Sequence, residues 1–218
     1  MSDHAAQRLN MVESQLRTNK VTDPALIAAM AAVPRERFLP KALHGIAYVD
    51  EDLPLGADRH LMEPMVMARL IQALRLTPSD VVLEIGTGCG YGAAILARLA
   101  STVVALESDP ALAASAANIL NEQGFDTAIV VEGPLGEGYP RQGPYDAILV
   151  SGAVPELPVA ILDQMAEGGR LAAVIGRPGE PGRATLVQRR GGVASRRVMF
   201  DAAVAPLPGF AREPGFVF

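Results

Sequence analysis

The sequence is poor in cysteine and histidine and has no long hydrophobic run, and each scarcity excludes a class of protein. Cys89 is the single cysteine, so a disulfide framework is excluded and a reducing, cytoplasmic location is expected. The three histidines, at positions 4, 44 and 60, lack the spacing of metal ligands, and we predict no metal site. The most apolar early run, residues 25–33, is far shorter than the roughly 20 residues of a membrane span. A signal peptide is not evident either.

The charge balance is acidic, with 19 Lys and Arg residues against 24 Asp and Glu residues and a net charge of −5. Such a chain is a poor general binder of nucleic acid. Half of the 218 residues are hydrophobic, which is enough for a substantial core, and the length fits one domain of about 150–250 residues. We therefore predict a single soluble domain, residues 1–218, with no nucleic-acid or membrane partner.

Three regions of the chain differ in their pattern. Residues 1–76 are typical of helices, with starts predicted where Asp23 and Glu63 each precede a proline. The stretch 47–56 between those starts is typical of a loop. Residues 77–176 are predicted to form the ligand-binding core, and residues 177–218 a β-hairpin around Gly191-Gly192 with a tail.

Short apolar runs and helical segments alternate in the central region. The predicted strands are 81–85, 102–107, 127–131, 145–150 and 170–175, and the hairpin strands are 185–189 and 193–200. A helix is predicted over 110–121, capped by Asp109. This alternation is typical of a parallel sheet with helices on both faces.

The most informative segment is Val81-Val-Leu-Glu-Ile-Gly-Thr-Gly-Cys-Gly-Tyr-Gly92, in which glycines follow an apolar run at alternate positions. The run predicts a buried strand, and residues 93–99 predict a helix. Glycines at such a turn let the backbone approach a ligand closely, because no Cβ intervenes. Residues 88–93 also fit G-x-G-x-x-A, the fingerprint of dinucleotide sites, which alone is a weak signal.

Two glutamates at strand ends narrow the choice of ligand. Glu84 lies near the carboxyl end of the first predicted strand, where it would repel a pyrophosphate by roughly 1 kcal/mol or more. Glu107 ends the next strand, at the position of a ribose-binding acid. Together they favour a cationic, phosphate-free nucleoside, S-adenosylmethionine, in a crevice between the strand ends. A nicotinamide cofactor and a pair of solvated strand-end charges are the alternatives.

Four further blocks, in the right order, resemble the protein-L-isoaspartate O-methyltransferases. They are Met30-Ala-Ala-Val-Pro-Arg-Glu-Arg-Phe-Leu-Pro40, the segment 47–56 with its Ala-Tyr and Leu-Pro-Leu-Gly, Pro144-Tyr-Asp-Ala-Ile-Leu-Val-Ser-Gly-Ala-Val-Pro155, and 162–171. With the glycine turn they cover most of residues 8–176. The resemblance implies an α/β fold, namely the Rossmann-like seven-stranded sheet of a class I methyltransferase with an N-terminal helical region and a C-terminal β-hairpin.

The resemblance also implies S-adenosylmethionine-dependent methyl transfer to the free carboxylate of L-isoaspartyl residues in damaged peptides and proteins, which is a repair reaction. It implies that Glu84, Gly86 and Gly88 hold the methionine portion of the cofactor and that Glu107 holds the ribose. The remaining implied cofactor residues are Thr87, Gly90, Tyr91, Gly133, Pro134, Leu135 and Ser151. Packing at a helix start is an equal alternative for Tyr91, and simple packing is favoured for Cys89.

The chain departs from the family in the substrate loop. Similar enzymes have Q-T-I-S-Q-P where this sequence has residues 59–64, so His60 replaces a threonine and Met62 a serine. In one interpretation Arg59 or His60 pairs with the substrate carboxylate in place of the hydroxyls. In the other, these are drifted loop residues. A second departure is Pro134, which stands where the family has an aspartate beside the adenine.

These departures leave three functions open: isoaspartyl methylation, methylation of another acceptor, and a non-catalytic module that binds the cofactor or a partner. The substrate-loop candidates are Arg59, His60 and Met62. A homodimer is left open, because the apolar tail 206–218 is expected to dock on the domain or on a second subunit. For the arginines at 189, 190, 196 and 197 we favour solvation of a strand edge over contact with an acidic partner.

Overall fold

The computed structural model describes residues 3–56, 58–177 and 181–210, and a seven-stranded sheet organises most of them. The strands are β1 (Leu53–Gly56), β2 (Arg59–Leu61), β3 (Val81–Ile85), β4 (Thr102–Glu107), β5 (Ala128–Glu132), β6 (Tyr145–Val154), β7 (Met165–Ile175), β8 (Gly182–Arg190) and β9 (Val193–Ala202). The helices are α1 (His4–Met11), α2 (Pro24–Ala32), α3 (Pro64–Leu74), α4 (Tyr91–Ala97), α5 (Pro110–Glu122) and α6 (Val159–Leu162). A π-helical turn, Val12–Leu16, continues α1.

The large sheet has the strand order β5-β4-β3-β6-β7-β8-β9, while β1 and β2 form a separate pair. The first five of these strands run parallel, and β8 and β9 are antiparallel to their neighbours. The central strands β3 and β4 are almost entirely buried, which suits their continuous apolar sequences. The predicted parallel sheet, its seven strands and the C-terminal hairpin are confirmed.

The structure corrects several predicted elements. The strands β6 and β7 are longer than the predicted 145–150 and 170–175, because their pairing continues across irregularities in the ladder. The predicted loop 47–56 contains β1, which pairs antiparallel with β2 so that Leu53 lies opposite Leu61. A four-residue strand with a proline at its second position is too short to show an alternating pattern, so the sequence does not reveal it.

Capping residues set where the helices begin. The Asp23 side chain accepts hydrogen bonds from two backbone amides in the first turn of α2, and Asp109 does the same for one amide of α5. Helix α3 begins at Pro64, directly after Glu63. These three predicted starts are confirmed. No helix in the described part of the chain is long and apolar enough to cross a membrane.

The N-terminal region packs on one face of the sheet and carries the β1–β2 pair to the carboxyl ends of the strands. Its buried residues share one apolar cluster with β3, β4, β6 and α4. Within that cluster, Phe38 packs edge-on against Tyr91, with 5.6 Å between ring centroids. The segment after β9 returns to the same edge of the sheet, where Pro206 bridges to Ala153. Residues 211–218 of the predicted tail lie outside the described residues.

Candidate active site

The glycine turn joins β3 to α4 and folds against the end of β4. Gly86 and Gly88 have φ angles of 81° and 56°, a left-handed backbone that suits glycine. The backbone N–H groups of Gly86 and Thr87 both donate to the Leu106 carbonyl, at 2.9 and 3.1 Å. The predicted strand–turn–helix is therefore present, and its backbone lies beside Glu107.

The Glu107 carboxylate is buried and fully hydrogen-bonded. Its two oxygens accept from Nε and Nη2 of Arg59, at 3.1 and 2.9 Å, in a bidentate ion pair. The backbone N–H groups of Gly88 and Ser108 each donate to it at 2.8 Å. Burial alone would raise the pKa of Glu107, but the hydrogen bonds and charge of Arg59, together with backbone amides, outweigh burial and the pKa is lowered. Glu107 is therefore a carboxylate held ionised by Arg59.

Glu84 lies beneath the turn, 1% exposed. Its oxygens accept from the hydroxyls of Thr87 and Ser151, at 2.6 and 2.7 Å, and a Cβ on Gly92 would lie 2.0 Å from one of them. Burial raises the pKa of Glu84, although the two hydroxyls act in the opposite direction. In this structure the Glu84 carboxylate binds the turn and Ser151, and a contact between Glu84 and a ligand stays a prediction.

The predicted crevice is filled by side chains of the chain itself. A Cβ on Gly86 would lie 2.7 Å from Leu207 and 2.8 Å from Arg59, and one on Gly88 would lie 2.8 Å from Leu55. Between the described residues at this point lies a cavity of about 10 Å³ bordered by the substrate loop, Ser151 and the C-terminal segment. Small-molecule sites typically measure about 300–1,000 Å³. The described residues therefore close the crevice over the glycine turn, which differs from the predicted open site.

Asp52 ties together the two segments that close the crevice. One of its oxygens accepts from Glu63 N at 2.8 Å, in the substrate loop, and the other accepts from Ala205 N, in the C-terminal segment. That segment is also paired with Ala153, which donates to the Ala205 carbonyl at 2.9 Å and accepts from Leu207 N at 2.8 Å. The β1–β2 pair and the C-terminal segment are thus linked through a single carboxylate.

The substrate-loop candidates have three different environments. Arg59 is engaged by Glu107, which contradicts the prediction that it is available to a substrate carboxylate. His60 borders the small cavity, and its Nδ1 has no hydrogen-bond partner among the described residues. Met62 is 3% exposed, and its carbonyl accepts from Nη2 of Arg35 at 2.8 Å. Of the three, His60 has a free polar atom at the cavity.

Several predicted cofactor residues serve the packing of the turn instead. A Cβ on Gly90 would lie 3.2 Å from Ala116 of α5, so Gly90 permits the close approach of that helix, and its contact with a cofactor stays a prediction. Tyr91 is fully buried against Phe38 and beneath the Arg35 guanidinium, which favours packing over shielding of a cofactor. Burial raises the pKa of the Cys89 thiol to about 11, in keeping with a packing role.

The predicted adenine-side residues follow the end of β5. Gly133 N donates to the Glu107 carbonyl at 3.1 Å, which places the turn 133–135 beside the ribose-binding position. Pro134 has no N–H group, and Leu135 is buried in the second apolar cluster. Leu55 and Leu207 contact the glycine turn, and Asp52 links the segments that carry them, yet nothing in the local sequence pattern of these residues predicts those contacts.

Glu63 lies among Asp50, Glu51 and Asp52. Burial, and then these three carboxylates, raise the pKa of Glu63 to about 7. Because the folded pKa exceeds the unfolded value of 4.5, folding retains the proton, and stability is expected to fall as the pH rises from about 4.5 through 7.

We expect Glu63→Gln to stabilise the protein by about 1 kcal/mol at pH 8, a value discounted for the partial exposure of this side chain, and to change little at pH 5. Urea unfolding at the two pH values measures this. Glu51→Gln, at an exposed position of the same cluster, is the control and is expected to have a smaller effect. Equal stabilisation by Glu63→Gln at both pH values would contradict the prediction.

The sequence has close relatives among known proteins. It matches the profile of the family described as Protein-L-isoaspartate(D-aspartate) O-methyltransferase over residues 6–208. A protein-L-isoaspartate O-methyltransferase of Koribacter versatilis is 37% identical over 209 residues, 96% of this chain and 94% of the relative. One from Methanoculleus marisnigri is 42% identical over 187 residues, 86% of this chain and 85% of the relative.

Solved structures agree with the sequence matches. A protein-L-isoaspartate O-methyltransferase superposes with a TM-score of 0.80 at 25% identity, covering 93% of this chain and 67% of that one. A beta-aspartate methyltransferase of Plasmodium falciparum, solved with S-adenosyl-L-homocysteine, gives a TM-score of 0.78 at 19% identity, covering 96% of this chain and all of that one, and shares the fold. The chain therefore belongs to the protein-L-isoaspartate(D-aspartate) O-methyltransferase family.

Proposed function

We propose that the protein methylates the free carboxylate of L-isoaspartyl residues in damaged proteins, with S-adenosylmethionine as its cofactor. The observation that carries the proposal is the glycine turn of β3 beside an ionised Glu107 at the end of β4, in a chain that matches the family over residues 6–208. The buried single thiol supports a cytoplasmic location, and an association of two subunits through the tail remains a prediction.

The residues of the crevice fit the cofactor, although the closed arrangement has to open. Glu107 offers a carboxylate to the ribose hydroxyls, and Gly86 and Gly88 present backbone without a Cβ to the methionine portion. The space is taken by the side chains of Leu55, Arg59 and Leu207, which belong to the β1–β2 pair and the C-terminal segment and not to the large sheet. We propose that these two segments move when the cofactor binds. The turn 133–135 then borders the adenine.

The chemistry requires positioning more than proton transfer. A substrate carboxylate with a pKa near 4 is ionised at neutral pH and needs no general base. Held by the glycine turn and Glu107, S-adenosylmethionine would supply the methyl group of its sulfonium to the substrate oxygen, so that a methyl ester and S-adenosylhomocysteine are the balanced products.

The protein contributes to catalysis by orienting the substrate carboxylate and by excluding water. We assign the orienting hydrogen bond to His60, whose Nδ1 is buried at the cavity without a partner among the described residues. The buried loop around Met62 and the apolar cover from Leu207 keep water away from the reacting oxygen.

A second candidate function is a module of the same fold that does not bind the cofactor. The closed crevice is the observation that favours it, because Arg59 already occupies Glu107. Calorimetric titration with S-adenosylhomocysteine distinguishes the two, since a module of this kind gives no heat of binding.

We expect methylation of an isoaspartyl peptide to be detectable but slow, because the hydroxyls of the family's substrate loop are missing here and the crevice must open. The protein is incubated with methyl-labelled S-adenosylmethionine and a peptide that has one isoaspartyl residue, and the labelled ester formed is measured. The matching aspartyl peptide is the control. Cofactor binding without any ester would reject isoaspartyl transfer and leave another acceptor. Absence of both would support the module.

Met62→Ser is expected to raise the methylation rate about three- to tenfold, because it restores a hydroxyl that contributes about 1.5–3 kcal/mol when it donates to a charged group, part of which is lost to the smaller side chain. Met65→Ser, the same change on the neighbouring helix α3, is the control. Unchanged or lower turnover in Met62→Ser alone would contradict the assignment of this position to the substrate carboxylate.

A further inference from the structure

Six basic side chains line one cleft far from the crevice. The cleft has a volume of about 590 Å³ and lies between the C-terminal end of α3, the segment before α2 and the outer strands β8 and β9. We call it the basic groove, and its cations are Lys20, Arg69, Arg75, Arg170, Arg190 and Arg197. The one carboxylate among its lining residues, Asp23, already accepts two hydrogen bonds as the cap of α2.

Five of these six cations have no carboxylate partner within residues 3–56, 58–177 and 181–210. Arg170 donates to Asp80 at 2.6 Å and to the carbonyls of Leu74 and Arg75, so it is a structural residue. The side chains of the other five form no ion pair with any residue that the structure describes. The chain as a whole carries a net charge of −5. A convergence of unpaired cations on an acidic protein produces a local positive potential that an anionic ligand would relieve.

One cation of the groove and the segment at its base are held in place. The Arg69 guanidinium lies 3.5 Å from the centroid of the Phe200 ring, and burial lowers its pKa. Gln72 fixes the adjoining segment, because its Oε1 accepts from Thr22 N at 2.6 Å and its Nε2 donates to the Lys20 carbonyl at 3.0 Å. The base of the groove is thus connected to α3 by hydrogen bonds.

Two of the cations occupy backbone positions that favour glycine. Lys20 and Arg75 follow helical segments with φ angles of 66° and 49°, in the left-handed region. Glycine is the usual residue at such helix ends, and a side chain there costs about 1 kcal/mol. Placing a basic side chain at both positions concentrates charge in the groove at the expense of local backbone strain.

The groove lies at the opposite end of α3 from the crevice. The helix begins at Pro64, beside the substrate loop, and its 11 residues span about 16 Å to the groove. An extended polypeptide covers that distance with about five residues. A long polyanion such as nucleic acid would meet the acidic remainder of the surface, whereas a short acidic peptide segment meets only the local field of the groove.

We propose that the basic groove docks an Asp- and Glu-rich segment of the protein substrate, at least five residues along the chain from the isoaspartyl site. This inference rests on the proposed function for the identity of the partner. Carboxylates of the segment would pair with the guanidinium groups of Arg75, Arg190 and Arg197, which are the geometry-matched donors for such groups.

The test is fluorescence anisotropy with a labelled peptide that contains four glutamates and no isoaspartate, without cofactor. The matched peptide has glutamines. Arg197→Gln is expected to weaken binding of the glutamate peptide about fivefold, as for loss of one ion pair of about 1 kcal/mol. Arg196→Gln is the control. In the β8–β9 ladder Arg197 lies opposite Leu186, which lines the groove, whereas Arg196 lies opposite Val187 and so is on the other face of the hairpin. Equal binding to both variants, or to the glutamine peptide, would overturn the proposal.

A second variant separates docking from folding. Arg75→Gly relieves the left-handed strain, so its Tm is expected to be unchanged or higher while its affinity for the glutamate peptide falls. Methylation of a short neutral isoaspartyl peptide does not require the basic groove. A negative result in this binding experiment would therefore overturn the docking proposal and leave the proposed function standing. Stronger binding of inorganic pyrophosphate or an oligonucleotide than of the glutamate peptide would assign the groove to a phosphate ligand and overturn the proposed occupant.

Discussion

Arg59→Gln should bind S-adenosylhomocysteine about tenfold more tightly than the unaltered protein. In the closed structure the Arg59 guanidinium holds both oxygens of Glu107, the carboxylate we assign to the ribose. Hydrogen bonds between charged groups contribute about 1.5–3 kcal/mol, and binding of the cofactor has to replace them. When only a fraction of the molecules is competent to bind, the apparent Kd equals the intrinsic Kd divided by that fraction. Removing Arg59 raises the competent fraction and so lowers the apparent Kd.

The same substitution should destabilise the protein in the absence of ligand. Removing one partner of a buried ion pair costs about 3 kcal/mol, which corresponds to a Tm lower by about 5–10 °C in a protein of this size. Titration calorimetry and differential scanning calorimetry measure the two effects. Arg35→Gln is the control, because Arg35 is also buried but binds the carbonyls of Ala47 and Met62. A gain in affinity for both variants would mean general loosening, and no gain for Arg59→Gln would mean that Arg59 does not obstruct the site.

Glu107→Gln is expected to lower the affinity for S-adenosylhomocysteine by at least tenfold, the opposite sign from Arg59→Gln. It breaks the same ion pair but replaces the ribose-binding carboxylate with a neutral amide that has a single acceptor oxygen. It also leaves the Arg59 cation buried without a charged partner, so the Tm should fall as well. The two substitutions, one at each partner of the ion pair, are thus expected to change cofactor affinity in opposite directions and to lower the stability of the protein in both cases. A loss of affinity in both variants would show that the ion pair builds the site rather than closing it.

Glu107 also makes the folding stability of the protein depend on pH in the acid range. Because its pKa is lowered in the folded protein, its contribution is present above the unfolded value of 4.5 and is lost as the pH falls through the lowered folded pKa. The acid unfolding curve of Glu107→Gln should therefore be flatter below pH 4.5 than that of the unaltered protein. The double variant of Arg59 and Glu107 isolates the coupling between them.

The parts of the fold that were predictable depend on local signals. Asp23, Asp109 and the prolines that follow them act within one helical turn, and the apolar run of β3 with its glycines acts within a dozen residues. The position of Glu107 at a strand end follows from the same alternation of strands and helices. These features need no knowledge of which distant segments meet.

The parts that were not predictable depend on distant contacts. Arg59 and Glu107 are 48 residues apart, and their pairing requires the β1–β2 pair to lie across the strand ends. Leu207 reaches Gly86 only because Pro206 bridges to β6. The charge of Arg59 is plain in the sequence, but its partner is decided by tertiary packing, so the expectation of a substrate contact was reasonable and wrong in this conformation.

Cys89 makes the attachment of the N-terminal region directly measurable. It is the single thiol of the chain, it is 4% exposed, and it lies in the cluster that the N-terminal region shares with the glycine turn. An alkylating reagent can therefore react only in molecules in which the packing around Cys89 has opened, by detachment of that region or by wider unfolding. The ratio of the observed alkylation rate to that of an unstructured cysteine peptide gives the equilibrium population of such molecules, without an engineered label.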